Sequence, residues 1–248
     1  MERSLNLVPI PRHCQCSLSR SMNPKKIAIV ANTTWNIYNF RLNIIRKLIR
    51  EGHDVVVLAP VDKFITYTES IPEVTHVPIQ FLDRDSVNPI QDLRLLLELF
   101  RLYRKHKPDL ILHYTVKPNI YGALAARILK IPSIGVITGL GYSLMHEGWI
   151  NSITRALYKF TLRFHRKVIF ENQDDKLLFE KSRLVPTSRT VSIKGCGVDT
   201  SLFAPTGNGR VHGVTTFTFI GRLLYDKGVK EFVEAAREVK KENENLQF

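Results

Sequence analysis

Cysteine is scarce in this chain. Cys14, Cys16 and Cys196 are the only three in 248 residues, too few and too poorly spaced for a disulfide framework. No second Cys/His pair lies at ligand spacing from Cys14 and Cys16, and a reducing cytosol is the plainer setting. Nowhere do about eighteen apolar residues run together, so no transmembrane helix is expected. Acidic residues are outnumbered: 23 Asp and Glu face 36 Lys and Arg, a net charge of +13. Such a surface seeks an anionic partner, whether nucleic acid, a membrane leaflet or a phosphorylated substrate. Glycine is missing where one cofactor class would need it. The stretch after the first predicted strand, Ala31-Asn32-Thr33-Thr34-Trp35-Asn36, has none. A dinucleotide enzyme would place G-x-G-x-x-G there, so NAD-dependent chemistry is disfavoured, and no Walker glycine-lysine loop occurs.

What is present is a soluble globular balance, 44% apolar and 24% charged residues. The first twenty-one residues stand apart, with Pro9, Pro11, scattered Ser and Arg and no periodicity. They lack the apolar core of a signal peptide. They read as a transit peptide or, more plainly, as a disordered tail or an early start with Met22 as the true beginning; residues 1–24 are set aside on that ground. From Lys26 the pattern changes. A short apolar run over 27–31 predicts a strand. Ile37, Phe40, Ile44, Ile45, Leu48 and Ile49 then recur at three- and four-residue spacing and predict a helix over 37–51. Gly52 closes that helix and 54–59 is a second buried strand, completing a βαβ unit with parallel pairing. The alternation continues: strands over 74–79, 109–113, 134–138, 168–171 and 190–194, helices over 90–107, 120–129 and 150–165. The expected fold is α/β, a doubly wound parallel sheet with helices on both faces.

Near Thr200 the rhythm breaks. Residues 201–213 carry Pro205, Gly207, Gly209 and Gly213 and read as a linker between a first domain over 25–200 and a second beginning at 214. A fresh strand over 214–220 and a helix over 227–241 follow. From His212 only 37 residues remain, where a domain core needs on the order of 100. The second domain is therefore expected to be incomplete.

The stretch Gly221-Arg222-Leu223-Leu224-Tyr225-Asp226-Lys227-Gly228 joins the new strand to its helix. Arg222 and Lys227 beside helix N–H groups would suit a diphosphate. An ordinary solvated turn fits equally well. His113, at the end of a strand on the ligand-binding edge, is either a substrate contact or a satisfied structural histidine. Gly139 and Gly141 bracket a turn, either to admit an acceptor phosphate or for turn geometry alone.

These segments do not stand alone. Gly197-Val198-Asp199 followed by Phe203 and Pro205, then Gly221-Arg222 to Lys227-Gly228, resembles glycosyltransferase family 4. Asn36-Ile37-Tyr38-Asn39-Phe40-Arg41, Lys117-Pro118-Asn119-Ile120-Tyr121-Gly122, Thr138-Gly139-Leu140-Gly141 and Glu171-Asn172-Gln173 resemble its branch that extends polyprenyl-diphosphate-linked sugars. The resemblance covers the chain from about Lys25 onward. It implies a GT-B fold, two facing Rossmann-like domains, of which this sequence holds the first and only the opening strand and helix of the second. It implies transfer of a sugar from a nucleotide-diphosphate sugar to a lipid-linked or glycan acceptor, with retention and with neither redox cofactor nor catalytic metal. Gly221, Arg222 and Lys227 would bind the donor diphosphate; Asn36, Lys117, Asn119, Gly139 and Gly141 would lie on the acceptor side. Two departures count. Thr138 stands where many members carry His, so that role does not transfer. The family's paired glutamates would fall beyond Phe248, leaving the catalytic residues unknown and this chain expected not to turn over by itself.

One helix bears on the charge. Ile150, Ile153, Leu157, Phe160 and Phe164 make an apolar stripe over 150–166, with Arg155, Lys159, Arg163 and Arg166 roughly opposite. A basic amphipathic helix suits an anionic membrane, and a core-packed helix with a solvated face is the plain alternative. The expected setting is cytoplasmic, peripheral on the inner face of the membrane. A non-catalytic module for an anionic lipid or ligand is the second reading. Nucleic-acid binding is a third, and no recognisable module supports it.

Overall fold

The computed structural model describes residues 23–84, 86–140, 148–204, 214–221, 223, 225–242 and 245–248. The chain divides into two units between Val198 and Asp199. In the first, seven strands form one parallel sheet: β1 Lys26–Val30, β2 Asp54–Ala59, β3 Thr75–Pro78, β4 Leu110–Tyr114, β5 Ser133–Ile137, β6 Lys167–Phe170 and β7 Thr190–Ser192. Their order is β3-β2-β1-β4-β5-β6-β7, every adjacent pair being parallel. The order reverses between β1 and β4. In an open α/β sheet that switch point, at the carboxyl ends of the strands, is where ligands bind.

Strands β1 and β2 bury both faces, as their unbroken apolar runs require. Right-handed crossovers put the helices that lead toward β3 on one face and those that lead toward β7 on the other. On the first face lie α1 (Thr34–Phe40), α2 (Leu42–Arg50) and the one-turn α3 (Tyr67–Ser70). Ile37, Ile45, Tyr67 and Ile71 pack there on Ile27, Ile29, Val55 and Val57. On the second lie α4 (Pro89–His106), a π-helical turn at Pro118–Gly122 running into α5 (Ala123–Ile128), α6 (Trp149–Thr161) and α7 (Gln173–Lys181). Leu95, Leu99 and Tyr103 of α4 cover Ala28, Val30 and Ile111, while Tyr158 and Phe179 cover Val168 and Phe170.

Helix starts follow their caps. Thr33 Oγ1 accepts the Asn36 N–H at 3.0 Å, Asn88 Oδ1 accepts Ile90 N–H at 2.9 Å, and Asn172 Oδ1 accepts Asp175 N–H at 2.7 Å. Helix α4 also opens on Pro89 and ends at Lys107 in the left-handed region, φ 48°.

Several elements differ from the sequence expectation. The helix expected over 37–51 is two helices, broken at Arg41, whose φ of −121° is not helical. The break lets Ile37 and Ile45 reach the core while Phe40 and Ile44 face solvent at 40% and 38% exposure. The helix expected from 120 begins as a π turn at Pro118. In α6 the inward face is Thr154, Tyr158 and Thr161, so Ile153 and Phe160 of the apolar stripe turn outward. The Thr161 hydroxyl bonds to Leu157 O at 2.8 Å, which lets it be buried at little cost. Helix α7 has no counterpart in the sequence expectation.

The second unit, taken by itself, is small. The strand expected over 214–220 is reduced to β8 (Thr215–Thr216), paired in parallel with β9 (Leu246–Gln247). A 3-10 turn at Tyr225–Lys227 leads into α8 (Val229–Glu242). Phe217 stacks on Phe248 and Phe219 meets Phe232. This unit begins at Asp199, slightly before the linker expected over 201–213.

Candidate functional site

The switch point is occupied by a buried ion pair. Arg41, in the break between α1 and α2, extends its guanidinium over the ring of Tyr114, the last residue of β4, 4.1 Å from the centroid. Its Nη1 donates to Glu171 Oε1 at 2.9 Å, just past the end of β6. Its Nε donates to Asn36 Oδ1 at 3.3 Å. One side chain thus ties together the segments that follow β1, β4 and β6. Arginine suits the task because its planar group can stack and bond in its own plane at once. Burial raises the Tyr114 phenol pKa above its usual value.

A second cluster lies where the chain leaves β4. Lys117 Nζ donates to Asp92 Oδ1 at 2.7 Å, and the Tyr121 hydroxyl donates to Asp92 Oδ2 at 2.7 Å. Asp92 sits in the first turn of α4, where a carboxylate also favours the helix dipole. Between β4 and Lys117, Thr115 has φ 70°. A β-branched residue is strained in that region, and its hydroxyl is buried with no partner among the described residues. Strain, an unsatisfied hydroxyl and a π turn within eight residues of sequence, 115–122, mark this corner as built for something other than stability.

Behind the edge, the polar groups are structural. Asn119 is fully buried and its Nδ2 donates to Thr115 O and Val136 O at 2.8 and 2.9 Å. It fastens the π turn to β4 and β5 rather than facing a ligand. His113 is also fully buried, with Nε2 2.8 Å from the Tyr103 hydroxyl. Burial, reinforced by His165, drives its pKa well below the usual histidine value. His165 has Nδ1 2.9 Å from Ser133 Oγ and Nε2 3.2 Å from Asn119 O, and burial lowers it to about 4. His113 is thus buried in the core as the structural reading expected, but it is not fully satisfied, since its Nδ1 has no partner among the described residues.

The remaining candidates fall as follows. Asn36 is at the switch point, its side chain engaged by Arg41. Lys117 is at the edge and already paired with Asp92. Gly139 has φ 142°, a conformation that L side chains rarely adopt, with open space where a Cβ would stand. Gly141 and Arg222 lie outside the described residues. In the second unit Gly221 and Lys227 are exposed, Lys227 ending the 3-10 turn before α8. Sequence reasoning placed Arg41 and Glu171 only inside quoted motifs and passed over Tyr114 and Asp92. A basic residue inside an apolar period, and an acid next to a predicted strand end, were the available signals.

Comparison with known proteins identifies the family. The family model described as "Glycosyl transferase 4-like" matches residues 26–172, from the start of β1 to just past Glu171. The N,N'-diacetylbacillosaminyl-diphospho-undecaprenol alpha-1,3-N-acetylgalactosaminyltransferase of Campylobacter jejuni is 27% identical over 232 residues, 87% of this chain and 61% of that protein. The UDP-Gal:alpha-D-GlcNAc-diphosphoundecaprenol alpha-1,3-galactosyltransferase of Escherichia coli is 26% identical over 168 residues, 64% of this chain and 43% of that protein. The chain therefore spans less than two thirds of either relative. Among solved structures, a glycosyltransferase from Rickettsia africae superposes with a TM-score of 0.64 at 16% identity, over 88% of this chain and 58% of that one. Sucrose-phosphate synthase from Thermosynechococcus elongatus gives 0.64 at 13%, over 87% of this chain and 60% of that one. These two establish the fold alone. With the family match running through β1 to β6 and both charged clusters inside it, the chain belongs to the glycosyl transferase 4-like family.

Proposed function

We propose that the protein takes part in transferring a sugar from a nucleotide-diphosphate sugar to a polyprenyl-diphosphate-linked acceptor, in cell-surface polysaccharide or glycan synthesis. Transfer proceeds with retention at the anomeric carbon and uses neither a redox cofactor nor a catalytic metal. The first unit is the acceptor side. Gly221, Arg222 and Lys227 of the second bind the donor diphosphate. The protein works peripherally at the cytoplasmic face of the membrane.

The observation that carries this reading is the similarity, over 87% of the chain, to a transferase whose name specifies a diphospho-undecaprenol acceptor. The site supplies the chemistry. An ammonium has three donors, and Lys117 spends one on Asp92, leaving it able to bond a phosphate oxygen as well. Gly139 adds a stretch of backbone that an acceptor can approach without meeting a side chain. Arg41, committed to Glu171 and Tyr114, shapes the site rather than binding in it.

Binding of undecaprenyl-diphosphate-linked N-acetylglucosamine in detergent micelles, followed by calorimetry, tests this. The sugar lipid should bind, and Lys117→Gln should weaken it by roughly tenfold, the loss of one charged hydrogen bond. Absence of binding, or binding indifferent to Lys117→Gln, would refute the assignment of this edge to the acceptor.

A further inference from the structure

Helices α4, α5 and α6 are consecutive on one face of the sheet, α5 and its π turn lying between the other two and packing against both. Their outward surface has an unusual composition. Helix α4 buries Leu95, Leu99 and Tyr103 and turns Ile90, Leu93 and Leu97 to solvent, 66%, 56% and 47% exposed. Helix α6 buries Thr154, Tyr158 and Thr161 and turns out Trp149, Ile153 and Phe160 at 66%, 50% and 47%. Exposed Arg94, Arg101 and Arg104 accompany the first set, and exposed Lys159 and Arg163 the second. Arg163 lies over the Phe160 and Phe164 rings at 4.5 and 5.3 Å.

Among the described residues, these helices carry no acid on that outward surface. Helices α5 and α6 contain none, and the two on α4 are drawn inward. Asp92 is held by Lys117 and Tyr121, and Glu98 accepts the backbone N–H groups of Gln80 and Phe81. The opposite layer differs: α2 pairs Lys47 with Glu51 on its surface. Apolar side chains about half exposed or more, interleaved with cations and with no acid of these helices beside them, match a bilayer interface, where rings and aliphatics enter the acyl boundary and cations meet lipid phosphates.

We infer that the outer face of α4 and α6 is a single membrane-docking surface for an anionic leaflet, with α4 as much a part of it as α6. This rests on the reading of the acceptor as lipid-borne and deepens it by naming the contact. Its geometry has a consequence for that site. Both helices precede strands of the parallel sheet, so their amino-terminal turns lie at its carboxyl edge. The first turn of α4 carries Ile90 and Leu93 outward and Asp92, gripping Lys117, inward. A bilayer seated on this face lies against the same turn of α4 that holds Lys117.

The test uses vesicles of phosphatidylglycerol and phosphatidylcholine in equal parts, at low and high salt, with vesicles of phosphatidylcholine alone as control. Each cation at an anionic leaflet multiplies partitioning roughly fivefold. Arg101→Gln with Arg104→Gln should therefore cut binding at least tenfold at low salt and little at high salt. Leu93→Gln with Leu97→Gln should cut it about tenfold at either salt. Arg155, Lys159, Arg163 and Arg166, on α6 and the turn after it, all changed to Gln should likewise cut binding at low salt and little at high salt. Because the altered α4 residues are exposed, circular dichroism should be unchanged. The native chain supplies a second reporter: Trp35→Phe leaves Trp149 as the only tryptophan, and its emission should shift to the blue on vesicles and be quenched by brominated lipid. Vesicle binding that ignores the α4 changes, or Trp149 emission unmoved by bound vesicles, overturns the inference. So does lipid-free dimerisation that the same α4 changes abolish, since that would make the face a contact between copies. Vesicle binding by a protein that fails to bind the sugar lipid in micelles would uphold this surface and overturn the acceptor assignment instead.

Discussion

Arg41 has 6% of its side chain exposed and Glu171 15%, so both groups have given up most of their hydration. Breaking such a pair from one side strands a charge, at a cost of about 3–5 kcal/mol, whereas exchanging both for apolar groups of similar volume is often neutral. Glu171→Ala should therefore lower the unfolding free energy by about 3 kcal/mol in urea titrations, and Arg41→Met with Glu171→Leu should recover most of that loss. If the double change costs the sum of the two single ones, the residues are not coupled. Two glycines make a complementary case. A Cβ at Gly122 would stand 2.5 Å from His113 Nε2 and 2.9 Å from the Tyr103 hydroxyl, and one at Gly135 would stand 2.7 Å from Asn119 Oδ1. All three side chains are buried, His113 and Tyr103 bonded to each other and Asn119 held through its Nδ2, so none can easily step aside. Gly122→Ala and Gly135→Ala should each destabilise by about 1–3 kcal/mol, although alanine is a better helix or strand residue than glycine elsewhere. Thermal melts of the two variants check this, and unchanged midpoints would mean that the His113 layer is looser than its contacts imply.

At the scale of elements, the strands were the legible part of the sequence. Runs such as Val55-Val56-Val57-Leu58 are apolar on both faces, and only a strand covered by helices on either side can bury them. The parallel order followed, because each strand is separated from the next by a helix-length segment. Helix phase was less legible. Arg41 interrupts an otherwise helical period for a tertiary reason, its bond to Glu171, and sequence 130 residues away leaves no local trace. Helix α6 shows the same limit from the other side. Periodicity found its apolar stripe but not its direction, because Thr161 can face inward once its hydroxyl bonds Leu157 O, and Tyr158 packs on Phe179. The site was half legible. Lys117 and Asn119 sit in the motif that drew attention to them, but only the fold separates the cation at the edge from the amide that fastens the turn behind it. Asp92 shows why. Nothing in α4 marks it beyond its place in a first turn, and its role comes from a lysine 25 residues later. Asp92→Asn should accordingly weaken two contacts at once, freeing Lys117 and loosening Tyr121. A fall in stability of about 1–2 kcal/mol is expected for this partly exposed cluster, with sugar-lipid affinity changing in the same variant. A variant altered in neither would remove Asp92 from the site.

The whole molecule carries a net charge of +13, and acid adds to it, so two separate effects should lower its stability as pH falls. The first is repulsion across the surface. The second is internal and comes from His113 and His165, fully buried with ring centroids 5.3 Å apart. The His165 ring fits as a neutral tautomer, taking the Ser133 hydroxyl proton at Nδ1 and donating Nε2–H to Asn119 O. In the unfolded chain it would accept a proton near pH 6.5, and in the folded one only near about 4. Above 6.5 both states are neutral and pH has no effect through this group. Between 6.5 and 4 the unfolded state binds the extra proton, so the unfolding free energy falls as pH falls. By pH 5 the loss from His165 is on the order of 2 kcal/mol, and His113, held well below its usual value, adds to it with the same sign. Salt separates the two effects, because it screens charges at the surface far better than charges in the core. Urea titrations at pH 7 and pH 5, each at low and high salt, should show a loss at pH 5 that salt reduces but does not remove. Replacing His165 with Asn should lower stability at pH 7 yet flatten what remains of the pH dependence in high salt. If high salt abolishes the acid effect in the unaltered protein, the histidines are not its source and surface repulsion alone explains it.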